Sequence, residues 1–238
     1  MLPKQSTIFV TGGAGFIGSA MSRHLLDETE FNVVCIDKLT YASSLTSVPQ
    51  MQGNKRYVLE TIDICDGDQL RNLFKKYRPS AVMNLAAETH VDRSIDEPGV
   101  FVKTNIVGTF TLLQEVLRYW QTADAVLRST FRFLHVSTDE VFGSLGPVGL
   151  FTENTMYAPN SPYAATKASS DHLARAWHET YELPVLMTNC SNNYGAYQFP
   201  EKLIPHMIIK GLAAEMLPLY GDGLHVRDWR MSKIMPAH

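Results

Sequence analysis

The sequence lacks the features that mark secreted, metal-binding or membrane proteins. It has only three cysteines in 238 residues, Cys35, Cys65 and Cys190, at wide and irregular spacing. An odd number of cysteines without a C-x-x-C pair predicts unpaired thiols in a reducing compartment and no metal site. The first apolar run, residues 8–10, ends at two glycines and is too short for a signal peptide or a membrane span. We therefore expect a cytoplasmic protein with no membrane partner.

An excess of charge of one sign is also lacking. The sequence has 21 Lys and Arg against 24 Asp and Glu, a formal net charge of -3, and its basic residues are scattered. Without a basic field we expect no nucleic-acid partner. The length is sufficient for one large domain, or for one domain with a small lobe.

What the sequence does contain is a regular alternation of short β-rich runs and helical patterns. Apolar spacing predicts helices at about 16–29, 66–77, 100–120 and 162–181. The predicted strands cover residues 7–11, 32–37, 56–62, 81–86, 132–137 and 184–189. This alternation predicts an α/β fold of the Rossmann type, a doubly wound parallel sheet with helices on both faces. After Gly195 the pattern loosens, so we place a Rossmann domain at 1–190 and a small C-terminal lobe at 191–238.

A glycine-rich turn follows the first predicted strand and opens the first predicted helix. Gly12, Gly15 and Gly18 form G-x-x-G-x-x-G, which permits a tight turn and close approach of a pyrophosphate to the helix N-terminus. Asp37 ends the second predicted strand and suits the adenosine ribose hydroxyls, which favours NAD over NADP. A P-loop is disfavoured because no Lys-Ser/Thr pair follows the last glycine. A turn without ligand and a loop-capping aspartate are the alternatives.

Two further patterns point to acid–base chemistry. Tyr163 and Lys167 form Y-x-x-x-K on one face of a predicted helix, where the lysine is expected to lower the pKa of the tyrosine. Residues 137–140, Ser-Thr-Asp-Glu, follow the fifth predicted strand, and ligands of such sheets bind beyond the carboxyl ends of the strands. Adjacent carboxyls there suit paired acid and base work. A helix-surface pair and an ordinary acidic turn are the alternatives.

Together with these motifs, most of the chain resembles the dTDP-glucose 4,6-dehydratases, nucleotide-sugar enzymes of the extended short-chain dehydrogenase/reductase superfamily. The adjacent pair Asp139-Glu140 is the specific part, since epimerases of the superfamily share the glycines and Y-x-x-x-K but normally lack that pair. The similar stretches are residues 11–19, 37–42, 84–95, 136–143, 161–177, 188–205 and 217–229.

The resemblance implies conversion of dTDP-glucose or UDP-glucose to the 4-keto-6-deoxy sugar, with NAD reduced and re-oxidised in one turnover. It implies that Tyr163, beside Lys167, takes the proton of the 4-hydroxyl, while Thr138 hydrogen-bonds the 4-oxygen. Glu140 would then remove the C5 proton and Asp139 would protonate the departing 6-hydroxyl. It also implies a homodimer through the two long helices, about 100–120 and 162–181.

The resemblance further implies which residues bind cofactor and substrate. The implied NAD-binding residues are Gly12, Gly15, Phe16, Ile17, Gly18, Asp37, Lys38, Thr40, Asp63, Ile64, Ala86, Ala87, Thr104, Tyr163, Lys167 and Asn193. The implied nucleotide-sugar-binding residues are Thr138, Asn192, Lys202, Leu203, Pro218, Tyr220 and Arg227. No metal ligand is implied.

The sequence departs from the family after Trp229. Residues 230–238 have no clear period, and the resemblance implies a truncated form with an incomplete substrate lobe. Two alternatives remain open. A truncated, non-catalytic form would bind NAD without a sugar nucleotide, and a nucleotide-sugar 4-epimerase would give a product that keeps its 6-hydroxyl.

Overall fold

Six parallel strands form one sheet in the computed structural model, which describes residues 2–41, 43, 47–48, 51–146, 148–219, 221–224 and 226–232. The strands follow the order β3-β2-β1-β4-β5-β6 across the sheet, and the order reverses between β1 and β4. Their bounds are β1 (Thr7–Thr11), β2 (Asn32–Asp37), β3 (Tyr57–Thr61), β4 (Ala81–Asn84), β5 (Arg132–Thr138) and β6 (Val185–Cys190). All six predicted strands are confirmed, and their ends differ from prediction by no more than two residues.

Helices cover the sheet, and a parallel pair of short strands lies beyond it. The helices are α1 (Phe16–Glu28), α2 (Gly67–Tyr77), α3 (Val91–Asp96), α4 (Pro98–Phe101), α5 (Thr109–Gln121), α6 (Ala125–Thr130), α7 (Pro162–Tyr181) and α8 (Leu203–Leu212). The short strands are β7 (Asn192–Tyr194) and β8 (Trp229–Met231). None of the helices in the described ranges is long and apolar enough to cross a bilayer.

The helix predicted over 100–120 is not a single α-helix. A π-helical segment, Val102–Gly108, separates α4 from α5. Its wider turn changes which residues face inward, so that Thr104, Asn105 and Gly108 are all buried. A Cβ on Gly108 would lie 2.7 Å from Ile64 Cδ1, so a larger residue here would require the Ile64 side chain to shift. Apolar spacing alone does not reveal such a change of helical period.

The core consists of two clusters, one on each face of the sheet. In β1, Ile8 and Val10 join the cluster that includes Met21 of α1, whereas Phe9 joins the cluster that contains Phe133. Neighbouring residues of a strand point to opposite faces, so this division means that both faces are covered. The predicted Rossmann-type α/β fold is confirmed, and the carboxyl ends of β1, β4 and β5 adjoin the point where the strand order reverses.

Candidate active site

The glycine turn between β1 and α1 is packed against the end of β4. Gly12 has a φ of +65°, and a Cβ there would lie 2.8 Å from the backbone nitrogen of Ala86. Gly15 caps α1 without a side-chain hydrogen bond, so the N–H groups of the first turn, which includes Phe16, Ile17 and Gly18, have no side-chain cap. This geometry suits a pyrophosphate, because the backbone can approach it closely and offer N–H donors.

Asp37 ends β2 beside this turn and is 7% exposed. Its Oδ2 accepts a hydrogen bond from Ala14 N (3.0 Å), and its Oδ1 accepts from Leu39 N (2.8 Å) and Ser43 Oγ (2.8 Å). An ionised carboxylate has about four acceptor positions. Three are occupied within the protein, so Asp37 retains capacity for about one more hydrogen bond rather than the two that a pair of ribose hydroxyls would offer.

Lys38 contacts two of the other residues that the resemblance implies for cofactor binding. Lys38 Nζ donates to Thr104 Oγ1 (3.1 Å) and lies 3.9 Å from Asp63 Oδ2 and 3.7 Å from Glu88 Oε1. Ala86 N donates to Thr11 Oγ1 (3.2 Å). The remaining implied residues near the cleft are Thr40, whose N–H donates to Ser43 Oγ, Ile64, which is buried, and Ala87, which is half-buried.

Asn193 provides a separate test of whether a ligand fits this cleft. It lies in β7 and is 8% exposed, and its Nδ2 donates to Ser191 O (2.9 Å). Its Oδ1 is buried and has no hydrogen-bond partner among the described residues. An unpaired buried acceptor is costly, so a ligand donor at this oxygen would stabilise the site. The tight glycine turn and this free acceptor together fit a dinucleotide.

The acid pair follows β5 directly. Thr138 ends that strand, and its Oγ1 accepts from Glu140 N (3.3 Å), which caps the 3₁₀ turn Asp139–Phe142. Tyr163 lies in the first turn of α7 and is 7% exposed. Its backbone N–H donates to Ser94 Oγ (3.1 Å) of α3, so α3 helps to position the tyrosine.

Electrostatic interactions link these groups into one site. Burial raises the pKa of Tyr163, and the Glu140 carboxylate raises it further, while a hydrogen bond with Thr138 opposes the shift. Burial also raises the pKa of Asp139. The pKa of Glu140 is raised by burial and then by Asp139, and the charges of Arg227 and Lys202 oppose this. Two carboxyls with raised pKa values beside a tyrosine can divide the roles of acid and base.

Lys167 does not have the effect that the sequence predicts. It is 5% exposed, and its Nζ donates to the Val136 carbonyl (2.8 Å) of β5. Burial lowers the pKa of Lys167, and the nearby Asp171 carboxylate opposes this. The predicted lowering of the Tyr163 pKa is wrong, because burial and Glu140 dominate.

Only some of the residues that the resemblance implies for sugar-nucleotide binding lie near the acid pair. Arg227 and Lys202 are close enough to influence Glu140, and Lys202 Nζ donates to Thr89 O (3.1 Å). Of the others, Asn192 lies in β7, Leu203 begins α8, Pro218 lies in the loop after α8, and Tyr220 lies outside the described residues.

Sequence reasoning missed several buried residues that hold the site together. Asn105 accepts from Glu88 N (2.8 Å) and donates to Thr166 Oγ1 (2.9 Å), so it joins the π-helical segment to α7. Ser94 and Asp171 were missed for the same reason, since none of them stands in the glycine or Y-x-x-x-K motif. Only Asp171 carried a signal, because it lies four residues after Lys167 on the same helix face.

Comparison with known proteins places this chain in a family. The family model described as GDP-mannose 4,6 dehydratase matches residues 9–233. The dTDP-glucose 4,6-dehydratase of Neisseria meningitidis serogroup B is 58% identical over 223 residues, which is 93% of this chain and 63% of that protein. The chain therefore spans less than two thirds of the length of this curated relative.

Solved structures show the same fold. The crystal structure of dTDP-glucose 4,6-dehydratase from Bacillus anthracis in complex with NAD has a TM-score of 0.87 and 44% identity, and the match covers 98% of this chain and 69% of that one. UDP-glucose 4-epimerase from Thermotoga maritima has a TM-score of 0.85 at 27% identity, with 97% and 71% covered. The two folds match almost equally well, but the dehydratase is much closer in sequence. Since the family match covers most of its length, this chain belongs to the GDP-mannose 4,6-dehydratase family.

Proposed function

We propose that this chain converts dTDP-glucose, or UDP-glucose, to the 4-keto-6-deoxy sugar with NAD recycled within the site. The observation that carries the proposal is the adjacent pair Asp139-Glu140, which faces Tyr163 at the carboxyl end of β5 with both carboxyl pKa values raised. The 58% identity to a dTDP-glucose 4,6-dehydratase supports dTDP-glucose in particular.

NAD is the cofactor that the cleft fits. The turn at Gly12, Gly15 and Gly18 would hold the pyrophosphate, Asp37 the adenosine ribose, and Asn193 the nicotinamide side. The other residues proposed to bind it are Phe16, Ile17, Lys38, Thr40, Asp63, Ile64, Ala86, Ala87, Thr104, Tyr163 and Lys167. Bound NAD would supply the acceptor and donor of the hydride. The complex of the Bacillus anthracis dehydratase with NAD supports this assignment.

The two carboxyls take opposite roles in the elimination. Glu140 removes the proton from C5 of the 4-keto sugar, and Asp139 protonates the departing 6-hydroxyl. This requires the single proton of the pair to reside on Asp139, and it is supported by burial, which raises the pKa of Asp139, and by the Lys202 charge, which lowers the pKa of Glu140. Adjacent carboxyls lose their protons in two separate steps, so a singly protonated pair is available between them.

Tyr163 accepts the proton of the sugar 4-hydroxyl, and Thr138 hydrogen-bonds the 4-oxygen. The pKa of Tyr163 lies above its ordinary value. Acceptance of the proton therefore has to overcome the effects of burial and of the Glu140 charge on the phenolic oxygen. Arg227 suits the diphosphate, because its planar guanidinium matches phosphate oxygens.

The C-terminal residues supply the rest of the proposed substrate contacts. We assign residues 1–190 to the NAD-binding domain and 191–238 to a partial substrate-binding region. Lys202 and Arg227 support this division, because both come from the second part and act on Glu140. The remaining proposed contacts are Asn192, Leu203, Pro218 and Tyr220.

Product analysis with each sugar nucleotide tests the proposal. We expect dTDP-glucose or UDP-glucose to yield a 4-keto-6-deoxy product without net consumption of NAD. In deuterated water, Glu140→Gln should abolish exchange at C5 and reduce turnover by about 10²-fold or more, since general acid–base groups contribute about 10²–10⁴-fold.

Glu179→Gln is the matched control, because Glu179 is an exposed residue of α7 paired with Arg175 (3.4 Å). It should leave turnover unchanged. Folded protein with bound NAD that forms no product from either sugar would contradict the proposal. A product that retains its 6-hydroxyl would instead indicate a 4-epimerase.

A non-catalytic NAD-binding protein is the second candidate. It is favoured by the incomplete gathering of the implied sugar-nucleotide residues, of which Lys202 and Arg227 act on Glu140. Titration calorimetry separates the two, because this candidate would bind NAD and release no heat with a sugar nucleotide. The dehydratase should bind both.

We also propose a homodimer that forms through α5 and α7, in the cytoplasm. Apolar side chains remain exposed along these helices and the π-helical segment, among them Val102, Val107, Phe110 and Tyr181. The free thiols of Cys35, Cys65 and Cys190 agree with a reducing compartment. Light scattering should give twice the mass of one chain, and Phe110→Glu should reduce it to that of a monomer. A monomeric wild-type chain would contradict the dimer.

A further inference from the structure

One buried carboxylate, Asp171, connects the elements that carry the acid–base groups. It is 1% exposed and lies one turn after Lys167 in α7. Its Oδ2 accepts from Ser137 Oγ (2.8 Å) at the end of β5, from Tyr157 OH (3.1 Å), and from Asn189 Nδ2 (3.2 Å) in β6. Four groups donate to this carboxylate when His135 is included, so its hydrogen-bonding capacity is fully used.

His135 contributes a hydrogen bond to Asp171 but no positive charge. Burial and the Lys167 charge lower the pKa of His135, so the ring is neutral at neutral pH. Its Nε2 lies 3.1 Å from Asp171 Oδ1, an acceptor, so Nε2 carries the proton. Nδ1 then accepts from Asn84 Nδ2 (3.2 Å). The negative charge of Asp171 is therefore not neutralised by the histidine beside it.

Among the described residues, no carboxylate is in direct contact with the buried ammonium of Lys167. Its ammonium makes one hydrogen bond, to the neutral Val136 carbonyl, and no salt bridge to it is found among the described residues. A buried ammonium without a nearby negative charge tends to lose its proton. Asp171 is the foremost group that counteracts the effect of burial on Lys167.

We propose that Asp171 is a positioning residue of the acid–base site, whose buried charge balances that of Lys167 one helical turn away and whose hydrogen bonds hold the ends of β5 and β6 in place. Its part in catalysis rests on the proposed dehydratase function, but the charge relation to Lys167 does not. Ser137 directly precedes Thr138, and Asn189 Nδ2 also donates to Thr138 O (3.3 Å). The same carboxylate thus orders the strand end that carries the acid pair.

Other titratable groups near Lys167 and Asp171 could contribute to this charge balance. Cys190 of β6 interacts with Lys167, but burial raises the pKa of this thiol, so it is neutral at neutral pH. Burial also raises the pKa of Tyr157 to about 12, so it donates to Asp171 as a neutral phenol. Among the described residues, the titratable groups that interact with the pair are His135 of β5, Tyr157 of the loop before α7 and Cys190 of β6.

Direct titration of Lys167 tests the proposal without any turnover. Lysine labelled with ¹³C at Cε reports protonation by NMR, and the signal absent from Lys167→Met identifies the residue. Asp171→Asn keeps the shape and removes the charge. We expect its Lys167 midpoint to fall by about one pH unit or more, the effect of removing a nearby opposite charge.

Ser170→Ala is the matched control. Ser170 is buried next to Asp171 and its Oγ lies 3.2 Å from His135 Nε2, but it carries no charge. This variant should leave the Lys167 midpoint unchanged. An unchanged midpoint in Asp171→Asn, or an equal fall in both variants, would overturn the proposal.

A second measurement covers the case in which Asp171→Asn does not fold. The variant Asp171→Asn/Lys167→Met lacks both charges, so it should have a higher Tm than Asp171→Asn, or fold where the single variant does not. If Lys167→Met folds while the double variant is as unstable as Asp171→Asn, the charge of Asp171 is not what matters and the proposal fails. A chain that forms no product but shows the midpoint shift would contradict the dehydratase function and leave this inference standing.

Discussion

Helices α5 and α8 are both rich in apolar residues, yet they are packed in opposite ways. α5 buries seven of its residues, among them Leu112, Leu113 and Val116, against the sheet and α2. α8 has no buried residue, and Ile208, Ile209 and Leu212 are 56%, 50% and 85% exposed. Apolar composition therefore favours burial only where another element offers a surface, and stability should be distributed unevenly along the chain.

The contacts that join the segment before α8 to α3 and to the loops after β2 and β4 are polar or aromatic. Glu201 pairs with Arg93 (3.0 Å), Lys202 Nζ donates to Thr89 O (3.1 Å), and the rings of Tyr41 and Phe199 lie 5.7 Å apart. Half-exposed contacts of this kind contribute little each. The region after β6 should therefore open at a lower free energy than the sheet.

A matched pair of leucines tests this difference most strongly. Leu112→Ala removes a fully buried side chain from the core and should lower the free energy of unfolding by about 2–5 kcal/mol. Leu212→Ala in α8 should change it by less than about 0.5 kcal/mol. Urea denaturation of both variants measures the two effects. Equal losses would mean that α8 is packed as tightly as α5.

The C-terminal ends of α1 and α8 also differ in how strongly side chains stabilise them. Arg56 donates from its guanidinium to the carbonyls of Leu26, Thr29 and Phe31, which closes the C-terminal end of α1. Arg56→Met removes these charge-assisted hydrogen bonds, and we expect a loss of about 1.5–3 kcal/mol in unfolding free energy. Thermal unfolding followed by circular dichroism would measure it.

Lys210→Met is the control for this prediction. Lys210 forms an exposed ion pair with Glu215 (2.8 Å) at the end of α8. Its removal should cost less than about 1 kcal/mol. A larger effect for Lys210 than for Arg56 would reverse the ranking of the two helix ends.

Glu140 lies where the two regions meet, and its pH dependence sharpens the comparison. The folded protein raises the pKa of Glu140, so it favours the protonated form, and the associated stability is lost as pH rises through the raised pKa. Glu140→Gln lacks this loss. We therefore expect the difference in Tm, Glu140→Gln minus wild type, to increase as the pH rises from about 4, near the ordinary pKa of Glu, towards neutral pH.

Arg227→Met is the companion variant, because Arg227 opposes the raised pKa of Glu140. Without that guanidinium the dependence on pH should become steeper, since the ionised carboxylate is less well compensated. A Tm difference between Glu140→Gln and wild type that does not change with pH would show that Glu140 gains no proton affinity on folding.

The sequence predicts well the elements that have strong local patterns and predicts poorly those that lack them. The strands and α7 were predicted within two residues, because buried parallel strands and a helix with a serine cap, Ser161, have strong local patterns. The short helices α3 and α6 have too few turns to show a period. α8 was missed because only two polar side chains, His206 and Lys210, interrupt its apolar run, so its polar face is narrow.

The site was predictable only as far as its motifs reach. The glycines, Asp139-Glu140 and Y-x-x-x-K identified the groups that the structure brings together. The protonation of Tyr163 was not predictable, because it depends on burial and on the Glu140 carboxylate. The network around Asp171 depends on contacts between residues 14 to 36 positions apart, which local spacing does not reveal.

The smallest predicted effect on stability concerns Glu201, which pairs with both Arg93 and His90. Glu201→Gln should change the global Tm very little, because these groups are partly exposed. It should nevertheless increase the rate of proteolysis between residues 203 and 219 by about two- to fivefold, the change expected when local opening becomes easier by about 0.5–1 kcal/mol. Glu215→Gln removes an ion pair inside that segment without touching the sheet, so it should leave the rate nearly unchanged. Equal acceleration by both variants would mean that α8 frays on its own, whereas acceleration by Glu201→Gln alone would mean that this link to α3 controls the opening of the whole segment.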